Sequence, residues 1–266
     1  MAEFVRVEQL DDPRLRAFRL NERGLATRGD KRDDEGAGMF LAEGDLVVER
    51  ALAAGCVPHL ALADGARLPR VASALIDAGS DVFVGGDEVR RAITGLGMPH
   101  PIVALFHRPR RPSAAELLAG CHRLVVVEGV DNPVNVGAIV RNAAAFGWDG
   151  LLLDHTSADP LARRALRVAM GTAFTLPHAR TRRLVDDLRA AEGLTLLALT
   201  PDPGAIAIGD VEVDDAGRRA VIIGSERAGL SDELMRIATR VRIPIAPGVD
   251  SLNASAAAAI ACYALA

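Results

Sequence analysis

Three stretches in the second half of the chain place reactive polar residues directly after apolar runs. RLVVVE continues as GVDNPVNVGAIVRNAAAFG, which sets Asn135, Gly137 and Arg141 after a proline-containing turn and on the first turns of a helix. AVIIG continues as SERAGLS, a glycine-flanked loop with one acid, Glu226. RVRIPI continues as APGVDSLNASAAAAIACYAL, with Asp250, Ser251 and Asn253 ahead of a helix of small residues. Singly, each has a plain structural role: asparagine, aspartate and serine are good helix caps, and a lone glutamate suits a turn. Jointly they mean more. Loops at the carboxyl ends of neighbouring parallel strands converge on one place, so two carboxamides, a guanidinium, a carboxylate and a hydroxyl would meet there.

Those loops need a sheet to hold them. RLVVVE, GLLLD, LTLLAL, AVIIG and RVRIPI read as strands, separated by helices near Asn135–Phe146, Asp159–Met170, Arg182–Glu192 and Ser231–Ala238. Unbroken apolar strands alternating with helices predict a parallel sheet covered on both faces. Ahead of this region, HRPRRPSA packs prolines and arginines together, as linkers do. The predicted organisation is an amino-terminal domain over 1–107, a linker over 108–116 and a second domain over 117–266. In the first domain, MFLAEGDLVVERALAAG reads as a strand running into a helix, HLALADG as a strand, VASALIDAGSDVFVGG as helix then strand, and PIVALF as a last strand. The leader from Asp11 to Glu35 is rich in charge and is expected to be mobile or ordered by substrate.

Composition narrows the function. The chain has 266 residues, half of them apolar and a quarter charged, which excludes a disordered or fibrous protein. Aromatics are only 3%, so the core must be built from Ala, Val, Leu and Ile. A formal charge of −4 excludes a globally basic binder, so any nucleic-acid surface must be local. Candidate grips are Arg108, Arg110 and Arg111 in the linker, or Arg163, Arg164 and Arg167, each also readable as a solvated face. Cys56, Cys121 and Cys262 are far apart and suggest neither a disulfide framework nor a metal ribbon. The longest uncharged run, Ser251–Ala266, is shorter than the roughly 20 residues that span a bilayer, so no membrane segment and a cytoplasmic location are expected.

The three motifs, in this order, resemble the signatures of the SpoU (TrmH) class of SPOUT RNA 2′-O-methyltransferases. The likeness runs from about Leu124 to Ala266, and FLAEGDLVVERALAAG is more weakly similar to the ribosomal-protein-like RNA-binding domain that many members carry in front. The resemblance implies an α/β fold: a small α/β substrate-binding domain, then a mostly parallel sheet with a deep trefoil knot at its carboxyl end. It implies S-adenosylmethionine as cofactor, held around Thr200, Gly224, Ile243, Leu252 and Asn253, and no metal. By matching position it makes Asn135, Arg141, Glu226, Ser251 and Asn253 the catalytic set, with Arg141 orienting ribose and phosphate because a guanidinium pKa above about 12 makes a poor base. It also implies a homodimer through the carboxyl-terminal domain and an RNA substrate, ribosomal RNA before transfer RNA. Arg227 stands where members commonly have a small residue, so that loop could differ or the arginine could add a phosphate contact; Ala254 replaces a commoner valine.

Two other readings compete. A dinucleotide oxidoreductase would need a GxGxxG turn after its first strand, and this loop has only Gly137 at the helix start. A non-catalytic RNA-binding protein with a retired methyltransferase domain would have lost Arg141, Glu226 or Asn253, and all are present.

Overall fold

The computed structural model describes residues 2–7, 9, 11–20, 22–25, 38–95, 100–212, 214 and 216–266. These fall into two compact units, Met1–Arg110 with Leu161–Phe174, and Arg111–Pro160 with Thr175–Ala266. In chain order the first unit holds β1 (Phe4–Arg6), a 3-10 helix (Pro13–Arg19), α1 (Glu22–Leu25), β2 (Met39–Glu43), α2 (Asp45–Ala53), β3 (Pro58–Asp64), α3 (Val71–Asp77), β4 (Asp81–Gly85), α4 (Asp87–Thr94) and β5 (Ile102–His107). Among the described residues the strands form one sheet in the order β1-β4-β3-β5-β2. β1, β4 and β3 run parallel, while β5 is antiparallel to both β3 and β2. Alternation along the strands sorts the side chains to two faces. Leu41, Leu60, Leu62, Phe83, Val103 and Leu105 pack with Leu15, Phe18 and Ile93, whereas Phe40 stacks on its cross-strand partner Phe106 at 5.4 Å.

The expectation of a mobile leader therefore needs correction over its first part. Leu15 and Phe18, three residues apart on the 3-10 helix, are buried, and this pair is masked in the sequence by the arginines around it. Arg28 and the rest of residues 26–37 lie outside the described residues.

The second unit begins with α5 (Ala114–Gly120), so residues 114–116, read from sequence as linker, open a helix capped by the reciprocal Ser113–Glu116 hydrogen bonds of a capping box. Then come β6 (Arg123–Val127), α6 (Pro133–Ala145) and β7 (Gly150–Asp154). The chain next contributes α7 (Arg163–Ala169) to the first unit, where Phe174 packs against Phe40 at 5.4 Å. The helix expected over Asp159–Met170 is thus shorter and does not cover the parallel sheet. Buried Glu43 holds this segment, accepting from Arg163 at 2.7 Å with Arg167 at 3.6 Å. β8 (His178–Thr181), α8 (Leu184–Ala190), β9 (Leu194–Leu199), β10 (Ile206–Ala207), β11 (Arg218–Ile223), α9 (Asp232–Ile237), β12 (Thr239–Arg242) and α10 (Ala254–Ala264) complete the second unit.

Among the described residues its strands form a parallel sheet ordered β10-β12-β9-β11-β6-β7-β8. The central strands are sealed on both faces: Leu124 to Val127 and Leu151 to Leu153 have no exposed surface. That seal explains the unbroken apolar runs. α10 lies against α6 and β11. It is anchored where Trp148 Nε1 donates to the Cys262 carbonyl at 2.9 Å and Arg219 Nε donates to the Leu265 carbonyl at 2.7 Å.

Candidate active site

The carboxyl ends of β6, β11 and β12 carry the three loops singled out by the sequence, and three of their side chains meet. Asn132 caps α6, accepting from the Val134 amide at 2.9 Å, and Pro133 starts the helix, so Asn135 stands on the first turn. Asn135 is 6% exposed, and its Nδ2 donates to Glu226 Oε1 at 2.8 Å. Asn253 caps α10: its Oδ1 accepts from the Ser255 and Ala256 amides, and its Nδ2 donates to Asn135 Oδ1 at 3.1 Å and to Glu226 Oε1 at 2.5 Å. One carboxylate oxygen thus receives two amide donors, and every amide atom in the cluster has a defined role. Such a network fixes both asparagines in one orientation.

Beside the cluster is a cavity of about 530 Å³, lined by the ends of β9 and β11, the loop from Gly224 to Leu230, and the segment from Ile243 to Leu252. Thr200, Gly224, Ile243 and Leu252 all line it, as do Glu226, Arg227 and Ser251. Gly224 is required there: a Cβ would lie 2.4 Å from the Gly229 carbonyl carbon and 2.7 Å from the Leu230 nitrogen. The loop folds back on itself through the Gly229 amide, which donates to the Ser225 carbonyl at 3.0 Å, with Gly229 at φ +67. Among the described residues other than glycine, only Met170 has positive φ, so Arg227 adopts an ordinary backbone and strains nothing. Strand β12 ends at Arg242, so Ile243 and Ile245 reach the cavity from irregular chain rather than from the predicted strand.

Two sequence-predicted residues stand apart from the cluster. Ser251 faces the cavity, but neither it nor Asp250 caps α10; Asn253 alone does so. Arg141 is exposed on α6, outside the cavity lining, with no hydrogen bond or ion pair among the described residues.

Sequence reasoning missed the groups that hold the loops. Glu128, at the end of β6, accepts from the Ser231 amide at 2.7 Å and so joins the first loop to the second. Asp154, at the end of β7, accepts from the Gly129, Thr156 and Ser157 amides at 3.0, 3.1 and 3.0 Å and from the Thr156 and Ser157 hydroxyls. Burial pushes its carboxyl pKa up, but those hydrogen bonds outweigh it and hold the group below the ordinary 3.8. An aspartate ending a strand reads in sequence as an ordinary turn residue, which is why neither position stood out.

A family model described as the SpoU rRNA Methylase family matches residues 122–263. A protein of Mycobacterium tuberculosis described as an uncharacterized tRNA/rRNA methyltransferase is 36% identical over 95% of this chain and 88% of its own. The Bacillus subtilis 23S rRNA (guanosine(2553)-2′-O)-methyltransferase RlmP is 29% identical over 88% of this chain and 90% of its own. Among solved structures, an AdoMet-bound rRNA methyltransferase from Sinorhizobium meliloti superposes with a TM-score of 0.81 at 27% identity, covering 98% of this chain and 97% of that one.

Proposed function

The chain belongs to the SpoU rRNA methylase family, and from that premise we propose that it methylates a ribose 2′-hydroxyl of RNA, ribosomal RNA before transfer RNA. It is an S-adenosylmethionine-dependent RNA methyltransferase. The choice of ribosomal RNA rests on the named activity of the Bacillus relative.

The residues present fit the cofactor. A cavity of about 530 Å³ is in the range of small-molecule sites, and its walls combine Leu199, Ile223, Ile243 and Leu252 with the peptide groups of the Gly224–Leu230 loop. At Gly224 any side chain would enter that loop's own backbone. When bound, S-adenosylmethionine supplies a methyl group already activated by its sulfonium charge. What remains for the chain is to align the ribose hydroxyl and to make it more nucleophilic.

The observation that carries the reading is the Asn135–Glu226–Asn253 cluster beside this cavity. The cluster keeps the first turn of α6 in register with the cofactor loops. Arg141, a turn and a half further along α6, then orients the ribose and its phosphate with donors that stay charged at any working pH. Ser251 faces the cavity from the third loop and completes the set.

We assign a homodimer through the second unit, supported by exposed Ile260 and Tyr263 on α10 and exposed Val134 on α6. A knotted path at the carboxyl end belongs to the same reading, with the anchored α10 as the threaded element. Among the described residues no helix is long and apolar enough to cross a membrane; we place the protein with its RNA in the cytoplasm.

Calorimetric titration of S-adenosylmethionine tests the cofactor site. Binding to the wild type, and a loss of at least roughly tenfold in Gly224→Ala, are expected, because the added methyl meets backbone that cannot yield cheaply. No heat of binding from the wild type would end this reading. Mapping ribose methylation in total RNA with and without the gene then names the nucleotide.

A further inference from the structure

We propose that Asp154 and Ser157, in the loop after β7, form a positioning relay that sets Asn135 for the methyl transfer proposed above. The inference rests on that reading, yet its geometry stands alone. Asp154 is 7% exposed, Ser157 is 4% exposed, and neither lines the cofactor cavity. The Ser157 hydroxyl donates to Asp154 Oδ1 at 2.5 Å and, with its lone pair, accepts from the Val130 amide at 3.1 Å. Asp154 Oδ1 also accepts from the Gly129 amide at 3.0 Å, and the Val130 carbonyl accepts from the Ala158 amide at 2.8 Å.

Gly129 and Val130 are thereby held from both sides by the loop after β7. They are the residues through which the chain leaves β6 and turns toward Asn132, the cap of α6. Gly129 has φ +68, and its added Cβ would lie 3.5 Å from Ser225 Cβ, so this short piece of backbone also adjoins the loop that carries Glu226. A shift at Gly129 and Val130 would be passed to Asn132 and then Asn135, which donates to Glu226 and accepts from Asn253 in the cluster.

Every donor facing Asp154 is an N–H or O–H, so the carboxylate has no isosteric substitute. In Asp154→Asn the NH2 group takes the place of Oδ1, facing the Gly129 and Ser157 amides, or of Oδ2, facing only the Thr156 amide and hydroxyl, whereas Asp154→Ala removes every acceptor and opens the relay.

The test uses the full-length protein, tritiated S-adenosylmethionine and total RNA from a strain lacking the gene, together with spectra of protein labelled with 15N at asparagine. In the wild type the Asn135 side-chain amide, identified by its loss in Asn135→Ala, should exchange slowly with solvent. Asp154→Ala should shift that resonance and speed its exchange. It should also lower turnover about tenfold while cofactor affinity changes less than about twofold, and in an Asn135→Ala background the further loss should be under about twofold, since residues acting through one another are not additive. Ser157→Ala keeps the carboxylate and should show the same pattern more weakly. It provides the same test if Asp154→Ala does not fold. An unmoved Asn135 amide, or losses that simply multiply in the double variant, would overturn the relay. Wild-type protein that labels no RNA would sink the proposed activity alone, because the amide spectra judge the relay independently.

Discussion

Two carboxamides sharing one carboxylate oxygen leave little freedom at the heart of the site: the Glu226 acceptor dictates which way Asn135 and Asn253 face, and Asn253 in turn caps α10. Arg141 sits outside this network and outside the cavity, so the two roles proposed for them can be tested separately. Arg141→Ala should leave cofactor affinity within about twofold and lower methyl transfer by roughly 100-fold, the loss typical of one positioned polar group in a transition state. A tritiated-methyl assay on the true RNA beside calorimetry checks it, and unchanged turnover would refute the role. Asp154 makes a second prediction, through its titration. Its folded pKa lies below the ordinary carboxylate value, so its stabilisation is fully present above the unfolded pKa of about 4 and is lost as pH falls through the folded value. The melting-temperature gap between wild type and Asp154→Asn should be constant above about pH 4 and shrink below it. At this scale the sequence exposed Asn135, Glu226 and Asn253 through their coincidence in three loops after apolar strands, although each type alone reads as a cap or a turn residue. It hid Asp154, Ser157 and Glu128, whose links to other loops run to backbone amides and leave no side-chain pattern to read.

Seven of the eleven residues of helix α10 are alanine, so hydrogen bonds help to dock it, from Asn142 to the Ser255 carbonyl in its first turn and from Trp148 and Arg219 to its last turns. Trp148→Phe keeps most of the ring and leaves the Cys262 carbonyl without its indole donor, a loss of about 1 kcal/mol. Cys262 reports the result, because burial pushes its thiol up to about 12 and it should react only when the helix lifts away. Labelling at Cys262, followed by mass spectrometry, should be about fivefold faster in Trp148→Phe, the factor equivalent to 1 kcal/mol. An unchanged rate would mean that the Trp148 hydrogen bond does not hold the helix down. The elements themselves were readable wherever burial on both faces forces continuous apolar runs, as in β6, β7 and β11. They were unreadable at the edges. β8, with the sequence HART, borders the sheet and lacks such a run, and α5 was hidden because its first turn directly follows the proline–arginine stretch.

At the scale of the whole chain, sequence order misassigned the segment Leu161–Phe174, which lies in the second half yet belongs to the first unit, since nothing in a local pattern says which core a helix joins. That assignment changes what the arginines can do. Arg163 and Arg167 share the buried carboxylate of Glu43, leaving Arg164, exposed like Arg167, as the member of its trio without an ion pair among the described residues. In the other trio Arg108 is buried and donates to the Met39 carbonyl at 3.2 Å, and Arg111 is buried 4.0 Å from Asp159, while Arg110 is exposed. With a net charge of −4, the chain must grip RNA through such local residues, and each phosphate contact releases condensed counterions. Arg110→Ala and Arg164→Ala should therefore each reduce the slope of log affinity against log salt by about 0.7 to 0.9, with melting temperature unchanged. Arg111→Ala should do the reverse, lowering the melting temperature by about 3 °C or more and leaving the slope alone, because it removes a buried polar group instead of a phosphate contact. Filter binding to ribosomal RNA between about 50 and 200 mM salt, run beside thermal melts, separates the two behaviours. If Arg110→Ala and Arg164→Ala both bind with the wild-type slope, the RNA is held elsewhere on the chain, and these two exposed arginines are only part of the solvated surface.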